Sequence, residues 1–95
     1  MDSGFSLADF FETIADDPRI GANHIVVYLA LRYRWELDGN PNVLAVDSFE
    51  MMRFAKIRKR DTYLKSLREL GEFGYVRYIP AENEYLKAEV VFKRL

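Results

Sequence analysis

The chain has no cysteine, one histidine, one tryptophan and three prolines in 95 residues. Without cysteine there is no disulfide framework, no thiolate zinc site and no thiol nucleophile, a composition that suits a reducing compartment. The single histidine, His24, has no cysteine or glycine-rich phosphate loop to work with, so catalysis has little to build on. Its place at the start of a helix points to a structural or capping role. The carboxylate pairs Asp16-Asp17 and Glu82/Glu84 lack further ligands and read as solvated helix ends and turns. The longest apolar stretch of note, Ile25 to Leu31, spans seven residues, far below the ~20 needed to cross a bilayer. The first residues are acidic where a secretory leader would be basic. These absences predict a cytoplasmic protein that is not an enzyme, needs no cofactor or metal and meets no membrane.

What is present is a core and a charge asymmetry. Apolar residues make up 49% of the chain and aromatic residues 15%, enough to fold, and the length predicts one domain over 1–95. The net charge is only −1, yet residues 1–52 carry three bases and nine acids while residues 53–95 carry eleven bases and six acids. The chain is therefore an electric dipole in sequence. Its acidic half either keeps it soluble or meets a basic protein partner.

Capping and periodicity divide the chain into elements. Ser6 with Asp9 forms a capping box, with Phe5 and Phe10 as a staple, opening a helix from about Leu7 to Asp16. Its apolar stripe, Leu7, Phe10, Phe11 and Ile14, needs a surface to lie against. That surface is either its own domain or a second copy, in which case the stripe is a homodimer seam. Asp17-Pro18 breaks the helix. A longer helix then starts at Gly21 or Asn23 and runs to about Leu37, apolar on most faces and so expected at the centre, with Arg32 and Glu36 pairing on an exposed strip. Trp35 reads as packing. Asp38 to Asn42 is a loop, and Val43 to Val46 a short edge strand.

The stretch from Asp47 to Gly74 reads as two helices joined by a basic turn. Asp47 caps the first helix, with Glu50 closing a capping box and Val46 stapled to Met51. The second, about 59–73, spaces Tyr63, Leu67, Leu70 and Gly74 on one buried face. Between Arg53 and Arg68 lie seven basic residues and one acid, a local net charge of +6. Concentrated at a helix-turn-helix joint, such charge suits a phosphate backbone. The tally nevertheless leaves open a merely solvated face. After Gly74 the pattern changes to period two: Tyr75 to Ile79, a turn over 80–84, and Leu86 to Phe92 with Leu86, Ala88, Val90 and Phe92 on one face, a β-hairpin.

The predicted class is mainly α with a small antiparallel sheet, α+β. From Ala22 onward the order of elements resembles the winged helix-turn-helix domain. The likeness is carried by the NHIVVYLALRYRW helix, the KIRKRDTYLKSLRELGEFGYVRY run and the closing LKAEVVFKRL strand. It covers about three quarters of the chain, leaving 1–20 as an N-terminal helical extension on a core of 21–95. Within that fold the phrases are most similar to short winged-helix proteins of bacterial plasmids and mobile elements.

The resemblance implies sequence-specific binding of double-stranded DNA by a transcriptional regulator or a mobile-element or replication accessory factor. The second helix would lie in the major groove, with Lys59, Arg60, Thr62 and Lys65 nearest base edges and Arg53, Lys56, Arg58 and Arg68 on phosphate. Two departures stand out: the wing tip holds Glu82 and Glu84 where a phosphate-touching wing offers bases, and Arg58 occupies a position where a small cap residue is usual. The rival reading is a protein-interaction module on the same scaffold.

Overall fold

A computed structural model describes residues 4–83 and 85–95. Among these residues the chain forms four helices and three strands in the order α1 (Leu7–Ala15), α2 (Ala22–Leu37), β1 (Leu44–Val46), α3 (Ser48–Ala55), α4 (Arg60–Glu72), β2 (Val76–Ile79) and β3 (Ala88–Phe92). The fold is α+β, as the periodicities predict.

Local chemistry sets most of the boundaries. At α1 both halves of the capping box form: Asp9 N–H donates to Ser6 Oγ at 3.1 Å, and the Asp9 carboxylate accepts from Ser6 N–H at 3.2 Å. Asp47 caps α3 by accepting from Phe49 N–H at 3.1 Å. The expected reciprocal bond from Glu50 does not form, because Glu50 turns to Arg34, Oε2 to Nη1 at 3.5 Å. Helix α2 starts behind Gly21, which has no side chain to cap with. His24 supplies the bond from inside the helix, its Nδ1 accepting from Gly21 N–H at 2.9 Å. At the other end of α4, Gly74 takes φ +90°, a left-handed turn that releases the chain into β2.

The sheet is antiparallel in the order β1-β3-β2, so the strand latest in sequence is central. Leu44 and Tyr78 both pair with Val90, and Val76 pairs with Phe92. Leu44, Val46, Val76, Val90 and Phe92 are buried, which gives the sheet one core-facing side. β3 begins at Ala88. Leu86, expected on the same face, lies before the strand and is exposed, as are Val43 and Glu82. Glu84 lies outside the described residues.

Helix α2 is central as expected, packing against α3, α4 and β1 and burying Val27, Tyr28, Ala30 and Leu31. Arg32 is buried with them. The expected exposed Arg32–Glu36 pair is absent among the described residues, because Arg32 points into aromatic rings while Glu36 faces solvent. Helix α1 buries one residue fully in this core. Phe10 is fully buried, stacked on Tyr28 at a centroid distance of 3.8 Å and 6° between planes, with Tyr75 edge-on at 5.9 Å. Of the proposed dimer stripe, Phe10 is thus taken by its own chain and Ile14 leans on the same core. Leu7 and Phe11 remain exposed.

The linker behind α1 is held by polar contacts. Asp17 accepts from Arg19 Nε and Nη2, both at 2.9 Å, and from the Tyr75 hydroxyl at 2.7 Å, while the Arg19 guanidinium sits 4.4 Å from the centre of the Phe73 ring. These bonds hold the Asp17 carboxyl well below the usual carboxylate range, Arg19 contributing most and Tyr75 next. Burial, followed by the adjacent Asp17 carboxylate, pushes the Tyr75 phenol up to about 12.

Candidate nucleic-acid interface

The seven basic residues of the cluster come from the end of α3, the turn and α4, and all seven are exposed: Arg53, Lys56, Arg58, Lys59, Arg60, Lys65 and Arg68. Among the described residues none lies within 4.0 Å of a carboxylate, although Asp61 sits among them in sequence. Arg53 is held against its neighbour instead, its guanidinium 5.2 Å from the Phe54 ring centre. The +6 charge therefore faces water unneutralised.

The turn has an uncommon backbone. Lys56 adopts φ 61° and ψ 34°, the left-handed region usually filled by glycine behind a helix. Ile57 N–H closes back on the Met52 carbonyl at 3.0 Å, and its side chain is buried, as in a Schellman cap. A lysine in that conformation costs about 1 kcal/mol or more relative to glycine. The strain directs the chain from α3 to α4 while keeping a positive charge at the bend. Lys59, without a side-chain bond, is the N-cap of α4; Arg58, which the sequence pattern set near that position, lies one residue earlier.

On α4 the core face consists of Tyr63, Ser66, Leu67 and Leu70, each 4% exposed or less. Lys65 and Arg68 project from the opposite side, as the 3.6-residue period requires. Arg60 and Thr62, expected beside one another at base edges, fall on different flanks. Arg60 lines a cleft with Phe49, Tyr78 and Tyr85, whereas Thr62 and Lys65 line a groove of about 470 Å³ shared with Asn23 and Glu69. Along that groove His24 Nε2 meets Glu69 Oε1 at 3.0 Å, joining α2 to α4. Since Nδ1 accepts from a backbone amide, Nε2 is the nitrogen that carries the hydrogen. This contact ties one flank of α4 to α2.

Tyr63 packs with Leu67 and Leu70, the role its spacing gives it, yet its hydroxyl is enclosed with no hydrogen-bond partner. Burial raises its phenol above the ordinary range. Phe49 (70% exposed) and Tyr85 (87%) are apolar rings at the surface beside Arg60, a feature that sequence periodicity did not single out. The one legible signal was that Phe49 falls between Asp47 and Glu50 on the outer side of a capped helix.

No helix among the described residues is long and apolar enough to cross a membrane, and no three of their histidines and carboxylates gather to hold a metal ion. Compared with family models, with curated proteins and with solved structures, the chain matches none.

Proposed function

We propose that this chain is a winged helix-turn-helix protein that binds double-stranded DNA without chemistry, α4 entering the major groove and β2, β3 and their loop forming the wing. What carries the reading is the set of seven exposed basic side chains, none paired with a carboxylate among the described residues, gathered at the α3–α4 turn and along α4. The element order supports it, since α2, α3 and α4 are followed by a hairpin whose second strand also pairs with the short strand before α3. In this reading Lys65 on the outer face of α4 meets base edges, with Lys59, Arg60 and Thr62 at its N-terminal end. Arg53, Lys56, Arg58 and Arg68 hold phosphate. Regulation of transcription, or an accessory role in replication or transfer, fits a protein of this kind.

The test is a selection from random duplexes followed by titration of the selected site across salt. Several phosphate contacts require log affinity to fall linearly with log salt, with a slope of about −0.9 per contact. A flat salt response would favour the rival reading, a protein-docking module, for which the exposed rings of Phe49, Phe54 and Tyr33 are the specific support. Self-association would have to use Leu7 and Phe11, the part of the α1 stripe still exposed. The acidic side chains of that helix are where a basic protein partner would dock.

A further inference from the structure

Two exposed apolar surfaces flank α2, and they carry opposite charge. On α1 the strip Leu7, Ala8, Phe11 and Ala15 is exposed along its length, Phe11 by 44%. Its flank is acidic: Glu12 and Asp16 are exposed beside it, and residues 7–16 contain no base. The second surface is a groove of about 330 Å³ lined by Val26, Leu29, Ala30 and Tyr33 of α2 and by Phe54 of α3. Tyr33 and Phe54 meet edge to face with ring centres 5.0 Å apart, yet remain 49% and 37% exposed. This border is basic. The Arg53 guanidinium lies 5.2 Å from the Phe54 ring centre, and exposed Lys56 and Arg58 follow Phe54 in the chain with no acid between.

The two surfaces do not meet within one chain. Phe10 anchors α1 on Tyr28, and at about 100° per residue Tyr28 points about 140–160° round α2 from Val26, Ala30 and Tyr33. Helix α1 is therefore held on the far side of α2 from the groove. Neither surface suits its own copy, since strip on strip would oppose the carboxylates of two α1 helices, and groove on groove would oppose two basic borders. Strip on groove instead joins apolar area and sets Glu12 and Asp16 against Arg53 and its neighbours. We propose that the groove between α2 and α3 receives α1 of a second copy of this chain, Phe11 seated against Tyr33 and Phe54 as a helix lies in a groove. Because the surface given and the surface taken differ, each contact leaves one of each free, and copies join into open chains rather than a closed pair. One short helix on one groove is a small contact, so the association is weak. It goes beyond the DNA reading and does not depend on it. Arg53, Lys56 and Arg58 belong to both, so the assay contains no nucleic acid and none of its substitutions falls on a basic residue; the failure of either reading leaves the other as it stands.

The full chain is followed by sedimentation equilibrium over a concentration series, in which the average mass should climb without levelling at the dimer. Phe11→Asp spoils the strip and Tyr33→Glu spoils the groove. Each should fold by circular dichroism and associate roughly tenfold or more weakly than the parent. Mixed in equal amounts, the two variants should recover association and stop at a 1:1 pair, since Tyr33→Glu still offers its strip and Phe11→Asp its groove. Glu12→Lys, at an exposed position, should weaken association of the chain, and by more at low salt than at high. A parent that stays monomeric or levels at the dimer, a mixture no more associated than its components, or association unaltered in Glu12→Lys would each overturn the proposal. So would a loss in Phe11→Asp with none in Tyr33→Glu, the mark of a seam between two α1 helices. Should Tyr33→Glu not fold, Phe54→Glu takes its place in the mixture, and if neither folds the Glu12→Lys comparison decides.

Discussion

At the linker between α1 and α2, Arg19 and Tyr75 close on the Asp17 carboxylate at 2.7–2.9 Å; at the turn between α3 and α4, five basic side chains within residues 53–60 stand exposed with no carboxylate of the described residues within 4.0 Å. The first arrangement satisfies its charges internally and ties a distant segment to the core. The second leaves like charges together, which destabilises a fold slightly and creates a field that only an external anion relieves. In the DNA-binding reading, pairing separates charges that serve the fold from charges left for a partner, and the two regions should respond to mutation in opposite ways.

The largest effect is expected where the linker side reaches the core. Phe10→Ala should cost about 3–5 kcal/mol in a denaturant titration, because it removes a fully buried ring stacked on Tyr28. Phe11→Asp, one residue on and 44% exposed, should stay folded; sedimentation of that variant beside the parent then reports whether Leu7 and Phe11 join two copies.

Next in size is the turn itself. Lys59→Ala with Arg60→Ala should leave the thermal midpoint nearly unchanged while abolishing preference for a selected duplex, a loss of about 1–3 kcal/mol for each base contact removed. A parallel loss of stability would mean that these side chains serve the fold after all, and the contrast between the regions would fail.

The pH response sharpens it further. Asp17 is held below its ordinary pKa of 3.8, so its contribution to stability is complete above about that pH and fades as the pH falls through the lowered folded value. Tyr75, raised from 10.0 to about 12, contributes fully below pH 10 and loses its contribution as the pH climbs towards 12. Thermal midpoints of Asp17→Asn and the parent should accordingly converge in strong acid and separate by pH 5. An unchanging gap would show that the linker is not held by its charge.

The smallest effect, and the most diagnostic, belongs to Lys56. Lys56→Gly relieves the left-handed lysine and should stabilise the fold by about 1 kcal/mol or less, since glycine also adds entropy to the unfolded chain. In the DNA-binding reading it weakens duplex affinity at the same time. Improved stability without that loss would place Lys56 off the phosphate.

Most of the architecture could be read from local chemistry. Ser6 with Asp9, Asp47 ahead of α3, the Tyr63–Leu67–Leu70 spacing and Gly74 each act within a few residues of their effect. What escaped depends on contacts between distant positions. Arg32 and Glu36 look like an exposed helical pair until Phe92 closes over the arginine, and Tyr75 lies 58 positions from the Asp17 it bonds. Glu50 leaves its cap because Arg34, from another helix, competes for it. Lys56 gave no sign of its left-handed backbone, since the usual marker is glycine. The charge of the cluster was legible and its division was not, because which flank of α4 receives Arg60 or Thr62 is decided by the neighbours that α4 packs against.

The central position of β3 has a bearing on how the protein is made. Among the described residues β1 and β2 each pair with β3 alone, so during synthesis the first strand waits from Val46 until Ala88 has left the ribosome before it can pair. At ~5–20 residues per second that wait lasts seconds, far longer than a helix needs to form. Four helices with one apolar side still uncovered are therefore the species that a nascent chain presents, and the stretch Leu44 to Val46 is an unpaired edge throughout. A pause in translation within residues 80–87 would prolong that exposure, whereas the hairpin of β2 and β3, once complete, closes the sheet by local pairing and then captures β1.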